Sequence, residues 1–325
     1  MITSLIIVKI LTGFGAGFYG DYVTAYEFLA FFGIIADAGL FAIAVKEISQ
    51  SDSKNNSPLV KGGLGGISHS PSFILGNILS IRLILIFLVC GLAITITQLI
   101  PNYSPQVKLG IWLTATSMGL TIIAGTLSSV LQARMKIQYF TIGLVLGKVF
   151  LAISIFLLAS NIEFVTQSLQ NSSFPSLLSS LQSPFQLFLL AGVFSNILFL
   201  IIVYYFARKE INITMRFDID YWKQTLKVSL PYGLALILQT LYLRLDIILI
   251  SIIIGASATG VYGVAGRIME SFLVLGVFFG QSILPKISKE ACSPIGKEEE
   301  KGVSQGRSTL LWGIEKLLLL SLPII

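Results

Sequence analysis

The sequence predicts an all-α integral membrane protein of two six-helix lobes, six plus six, with the second lobe truncated and about nine spans present. Three observations carry that expectation. The 325-residue chain is 54% hydrophobic and only 12% charged, with a mean hydropathy of +0.86, against about 25% charged for a soluble domain. Its apolar residues run in continuous stretches of roughly 20, the length of a helix that crosses a bilayer, and do not alternate as barrel strands do. A short pattern also recurs 243 residues apart, at the same place on its helix.

The first apolar run, about 2–14, is a short helix; it has neither a basic leader nor a small-residue cleavage site and does not read as a signal peptide. Full spans follow at about 22–45, 73–98, 109–131, 139–159, 186–206, 230–254 and 260–284, with a partial one at about 310–325. Lys and Arg test this assignment. Loops 46–72, 132–138, 207–228 and 285–308 hold three, two, five and five, whereas 13–21, 99–108, 160–185 and 255–259 hold none, one, none and none, 15 against 1. Positive loops stay in the cytoplasm, so the chain starts inside and the Ser/Gln-rich loop 160–185 is outside. The net charge of +6 and pI near 9.2 therefore orient helices and do not indicate a nucleic-acid partner, because the basic residues form no patch interleaved with aromatics.

"GFYGDYVTAYEF" and "GVYGVAGRIMES" share G-x-Y-G followed by a glutamate: Gly17, Tyr19, Gly20 and Glu27 against Gly260, Tyr262, Gly263 and Glu270. Each stretch opens a helix on the outer face, six helices apart and in the same orientation, as expected of a parallel repeat of two lobes. Residues 1–210 then form the N-terminal lobe, helices 1–6 with the first short, and 211–325 begin the C-terminal lobe, helices 7–9. The offset predicts a parent of roughly 480 residues. It also places the counterpart of Arg244 at Met1, and "LLLLSLPII" stops in mid-span, so the sequence reads as a fragment.

With this order and spacing, "GFYGDY" and "FGIIADAGLFAIAVKEIS" resemble the first hairpin of the polysaccharide (O-antigen type) flippase family within the multidrug/oligosaccharidyl-lipid/polysaccharide exporter superfamily. "LGNILSIRLILIF" is similar to that family's third helix, "LQARMKIQYFTIGLVLGKVF" to its fourth-to-fifth helix turn, and "VSLPYGLALILQTLYLRLDIILIS" with "GVYGVAGRIMESFLVLGVFFGQSILPKIS" to the start of its second lobe. The resemblance implies two six-helix bundles around a central cavity that opens alternately to either side. It implies transport of an undecaprenyl-pyrophosphate-linked oligosaccharide to the outer leaflet of a bacterial-type cytoplasmic membrane, for surface polysaccharide synthesis. The partners would be that lipid-linked oligosaccharide, membrane lipids and polysaccharide assembly proteins. No cofactor is expected beyond a coupling proton or sodium ion.

An ionisable side chain inside a span is a functional candidate by default, since it costs at least ~2.5 kcal/mol to place there. The spans hold Lys9, Arg82, Lys148, Arg244, Arg267 and Lys316 against Glu27, Asp37, Asp246, Glu270 and Glu315. A transporter of this kind needs cations for a pyrophosphate, which the guanidinium fork suits, and the head-group candidates are Arg82, Lys148, Arg244 and Arg267. Arg82 and Lys148 lack an evident partner at their level and could face a shared aqueous cavity; snorkelling, or pairing with Asp37, is the competing reading. Arg244 and Asp246 point to opposite sides of their helix. Counted from a hairpin apex near Ser257, Asp246 is level with Arg267 and Arg244 with Glu270, so two interhelical bridges are expected, and Arg267 and Glu270 at i, i+3 can also pair within their helix. The coupling or charge-pair candidates are Asp37, Asp246, Glu27 and Glu270.

Two alternatives remain open: a drug or cation antiporter of the same superfamily, which would favour acidic residues in the first lobe, and a membrane-embedded glycosyltransferase or polymerase. The enzyme would need carboxylates on surface loops, and loop 160–185 offers only Glu163. Cys90 and Cys292 form no disulfide framework, and a single histidine, His69, supports no two-histidine metal site. "KGGLGGISHSP" lacks the spacing of a phosphate-binding loop, and "GFGAG" follows no strand.

Overall fold

A computed structural model describes residues 2–56, 70–101, 103–161, 184–270 and 272. Eight helices carry the fold: α1 (Ile2–Thr12), α2 (Ala16–Asp37), α3 (Leu40–Asn56), α4 (Pro71–Leu99), α5 (Pro105–Ala133), α6 (Ile137–Ser160), α7 (Pro184–Glu210) and α8 (Ile219–Ile253). Residues 256–270 are again helical. His69, Glu163, Cys292, Glu315 and Lys316, and the expected span at about 310–325, lie outside the described residues. Five of the helices, α4 to α8, are long and apolar enough to cross a membrane, and α2 with α3 make a sixth candidate if that bent pair is one span.

Local sequence sets where the helices begin. Ser70-Pro71 and Ser104-Pro105 start α4 and α5: each serine Oγ accepts from the backbone N–H three residues on, 3.3 Å away, and the proline fills the first turn, where its missing N–H costs nothing. Asp218 caps α8 in the same way through Tyr221 N at 3.0 Å. The expected span 22–45 is corrected by a break. Ala38 and Gly39 both have positive φ, 45° and 74°, the left-handed conformation that ends helices, so α2 stops at Asp37 and α3 leaves it at about 40°.

Ile2–Gly263 forms one compact unit, and the described residues beyond it belong to a second. In the first, α5 is the central post, packed against α7, α2, α4 and α3. Two apolar clusters fill the interior, one of Leu40, Ile78, Leu127 and Val203 and the other of Phe28, Leu29, Val89 and Ile111. α8 lies against α2, α3 and α4, while much of its surface and that of α6 presents exposed Leu, Ile, Val and Tyr side chains, as a lipid-facing helix does.

Candidate functional site

The charged side chains of interest gather along α2, and glycines decide how closely other helices approach it. A Cβ on Gly20 would stand 1.7 Å from the Ala256 carbonyl oxygen, and one on Gly260 would stand 2.0 Å from that of Ala16. Gly17 faces Ser257 and Gly263 faces Val23 and Tyr19, so the contact advances in step along both helices, which run parallel. Ala16-x-x-x-Gly20 against Ala256-x-x-x-Gly260 is a small-xxx-small crossing of the kind that lets membrane helices touch backbone to backbone. The two stretches read as a repeat thus pack directly on each other. Further along, Gly233 of α8 abuts the break between α2 and α3, where its Cβ would meet Ala38 O at 2.6 Å.

Arg244 of α8 pairs with Glu27 of α2 at this seam; Glu27 is buried and Arg244 keeps 25% of its side chain exposed. Asp246 points elsewhere: Oδ2 accepts from the Tyr262 hydroxyl and Oδ1 from the Ile247 N–H, at 2.8 Å for the latter. Arg267 bonds Glu270 at 2.8 Å, one turn along its own helix. Asp246 thus meets a tyrosine hydroxyl that matching heights did not suggest, and the expected i, i+3 pair forms. Depth in the membrane fixed only the height of these groups. For Arg244 the partner that matching heights did not suggest is Glu27, the repeat counterpart of Glu270.

Arg82 also has a partner, contrary to the reading that it lacks one. Its guanidinium pairs with Asp37 of α2 and donates through Nη1 to Thr126 Oγ1 of α5 at 2.7 Å, leaving the side chain 1% exposed. Nε has no partner among the described residues. Lys148 is exposed on α6. One cation is sealed in packed helices and the other is on the surface, so the structure does not bring them together in a shared cavity.

The opposite ends of the helices carry a polar girdle. Lys136 Nζ and Arg134 Nη1 hold Glu210 at 2.7 and 3.4 Å. The connector before α8 is tied down as well: Asn77 Oδ1 accepts from Asp218 N at 2.8 Å and Trp222 Nε1 at 3.1 Å, and Tyr221 donates to Glu47 at 2.5 Å.

One acidic residue was missed in the sequence. Asp21, in the first turns of α2, falls in a window read as loop. It lines a cavity of about 430 Å³ with Thr24, Tyr103, Ser104 and Ser251, where Tyr103 Oη and Ser251 Oγ are 2.9 Å apart. Its signal was available, since an aspartate at the sixth position of an apolar helix stands out once the helix start is known.

A family model described as Polysaccharide biosynthesis protein matches residues 1–290. No curated protein and no solved structure matches the chain.

Proposed function

The chain belongs to the polysaccharide biosynthesis protein family, and from that premise we propose that it moves an undecaprenyl-pyrophosphate-linked oligosaccharide from the cytoplasmic to the outer leaflet by alternating access, with Arg244 meeting the pyrophosphate. The observation that supports this reading is the position of Arg244. It stands nine residues before the end of α8, one quarter exposed, against Glu27 of the neighbouring helix. Its pair with Glu27 uses Nη1, and a planar fork of five donors suits phosphate oxygens as well as a carboxylate. Glu27 then holds the guanidinium in place when no head group is bound and yields it when one arrives.

The seam itself favours rocking. α2 and the helix from 256 meet through backbone and glycine, a contact that can part without pulling interlocked side chains out of one another. Arg82 and Asp37 take a structural role in this scheme. Lys148 and Arg267 are secondary head-group candidates, and Asp246 and Glu270 hold local contacts. The host would be the cytoplasmic membrane, with the N-terminus inside and polysaccharide assembly enzymes supplying the lipid-linked substrate.

The test is translocation of a fluorescent undecaprenyl-pyrophosphate-linked oligosaccharide in proteoliposomes. Arg244→Ala should slow it about tenfold, the loss of one charge-assisted contact, and Arg244→Lys should recover only part of the rate. Wild-type rates in Arg244→Ala would remove Arg244 from the site. A wild-type protein that moves no lipid-linked oligosaccharide but exports a cationic dye would replace the proposal with the antiporter reading.

A further inference from the structure

We infer that the α5–α6 turn and the end of α7 bind the phosphate head group of an anionic lipid, in the leaflet at that end of the helices. The turn is a complete left-handed helix stop. Lys136 N–H reaches Leu131 O at 2.7 Å and Met135 N–H reaches Gln132 O at 3.0 Å, the paired bonds of a Schellman motif. Its left-handed position, φ 57°, holds Met135, where glycine is the usual residue. Met135 is 88% exposed and Ile137 50%, so neither serves chiefly to fill the interior. The turn therefore sets an apolar side chain outward on each side of Lys136. Apolar and basic groups mixed at the end of a span suit the boundary between head groups and acyl chains.

The charge of the patch selects the head group. Glu210 draws Lys136 and Arg134 together, at 2.7 and 3.4 Å, and cancels only one of their two charges. Further round α7, Lys209 Nζ stands 4.2 Å from the centre of the Tyr205 ring and 5.9 Å from that of Phe206. Phe206 in turn stacks on Tyr139 at 4.3 Å, one turn after Lys136, so the rings join the two lysines into one patch. Arg134, Lys136 and Lys209 against Glu210, three against one, leave a net charge of +2. Lys136 spends one of its three ammonium donors on Glu210, and Lys209 makes no hydrogen bond or ion pair with any described residue. Donors therefore remain for phosphate oxygens. A zwitterionic head group would leave the net charge unanswered, and a free phosphate would make no use of Met135 and Ile137. An anionic lipid answers both.

The experiment follows a fluorescent label at Ile137→Cys, in the full-length protein carrying Cys90→Ser and Cys292→Ser, in phosphatidylcholine vesicles with a rising fraction of brominated lipid. Brominated phosphatidylglycerol should quench the label at a mole fraction about fivefold lower than brominated phosphatidylcholine does, the worth of one basic side chain at an anionic surface. Lys136→Gln/Lys209→Gln should bring the two curves together. Tyr205→Leu, which removes the ring under Lys209, should reduce the preference about twofold, and Tyr205→Phe should retain it. Lys223→Gln/Lys227→Gln, which removes two exposed lysines of α8, should leave it unchanged. Equal quenching by the two lipids without further substitution overturns the inference, as does a preference that survives Lys136→Gln/Lys209→Gln. A preference that falls equally in the α8 variant also overturns it, since the charge would then act as a diffuse field. Release of the quenching by inorganic phosphate at constant ionic strength would replace the lipid with a free anion. If Lys136→Gln/Lys209→Gln fails to fold, the two Tyr205 variants decide. Lipid-linked oligosaccharide transport plays no part in this readout, so failure here and failure of the flippase reading are separable.

Discussion

Two arginines reach α2 from different neighbours, and the two regions they mark are built differently. Arg82 comes from α4 into a closed interior, where Asp37 and Thr126 share it and 1% of the side chain is exposed. Arg244 comes from α8 into a seam, where Glu27 holds it and a quarter of it stays exposed. The interior is filled by Leu, Ile and Phe from five helices, whereas the seam is a line of Gly, Ala and Ser. In sequence the arginines are alike, each a single cation in a long apolar run. The packing around them separates a guanidinium closed in by its neighbours from one that keeps part of its side chain exposed.

The largest expected effect lies in the seam. Gly20→Ala puts a methyl group 1.7 Å from a backbone oxygen, and no rotamer relieves a clash with backbone. The helices must separate, at a cost of about 3 kcal/mol or more. A disulfide between Gly17→Cys and Ser257→Cys, whose positions touch in the structure, reports the separation directly: its yield should collapse when Gly20→Ala is added. Gly125→Ala, with open space around it, should leave that yield unchanged and stabilise α5 by up to about 1 kcal/mol through helix propensity. Equal behaviour of the two glycines would mean that the close contact at Gly20 does not set the spacing of the seam.

The second effect compares the ion pairs. Asp37→Asn leaves the buried Arg82 guanidinium, which cannot lose its charge, with Thr126; Asp37 itself is 26% exposed, so the cost should fall at the low end for a broken buried pair, about 3 kcal/mol. Arg244→Gln takes the guanidinium from Glu27, but a carboxylate can take up a proton, so the loss should be smaller, about 1–2 kcal/mol. Chemical unfolding in detergent measures both. A cost for Arg244→Gln as large as that for Asp37→Asn would mean the seam pair is as structural as the interior one.

Much of this was legible in the sequence, and what was not has a common physical reason. The positions of α4 to α7 followed from run length, because helix formation in lipid is compelled locally, whereas α8 starts at Ile219, eleven residues before the expected span at about 230–254, on a polar first stretch capped by Asp218. The repeat was legible from Gly17, Gly20, Gly260 and Gly263, and its stretches turn out to be packed on each other. Depth was legible too, but depth leaves rotation about the helix axis undetermined. That is why height alone did not suggest Glu27 as a partner of Arg244, or Tyr262 as a partner of Asp246. The turn at Ala38–Gly39 was hidden by hydropathy, which stays high across it; the clue was a glycine after Asp-Ala, the signature of a left-handed helix end. Asp21 was hidden by a helix that starts six residues before the apolar window does.

The smallest effect concerns Asp246, the other charge in the run that holds Arg244. The Tyr262 hydroxyl donates to it from an exposed position, and Asp246 keeps a second hydrogen bond from the Ile247 N–H at 2.8 Å. Tyr262→Phe removes one donor from a carboxylate that water can reach, so the stability change should stay within about 0.5–1 kcal/mol, the net worth of an ordinary hydrogen bond. Transport should be unaltered if Asp246 serves only to orient the start of the helix after 256. A transport defect in Tyr262→Phe without loss of stability would instead make the seam a site with two working charges, Arg244 on the α2 side and Asp246 on the other, and the contrast with the sealed Arg82 would become sharper.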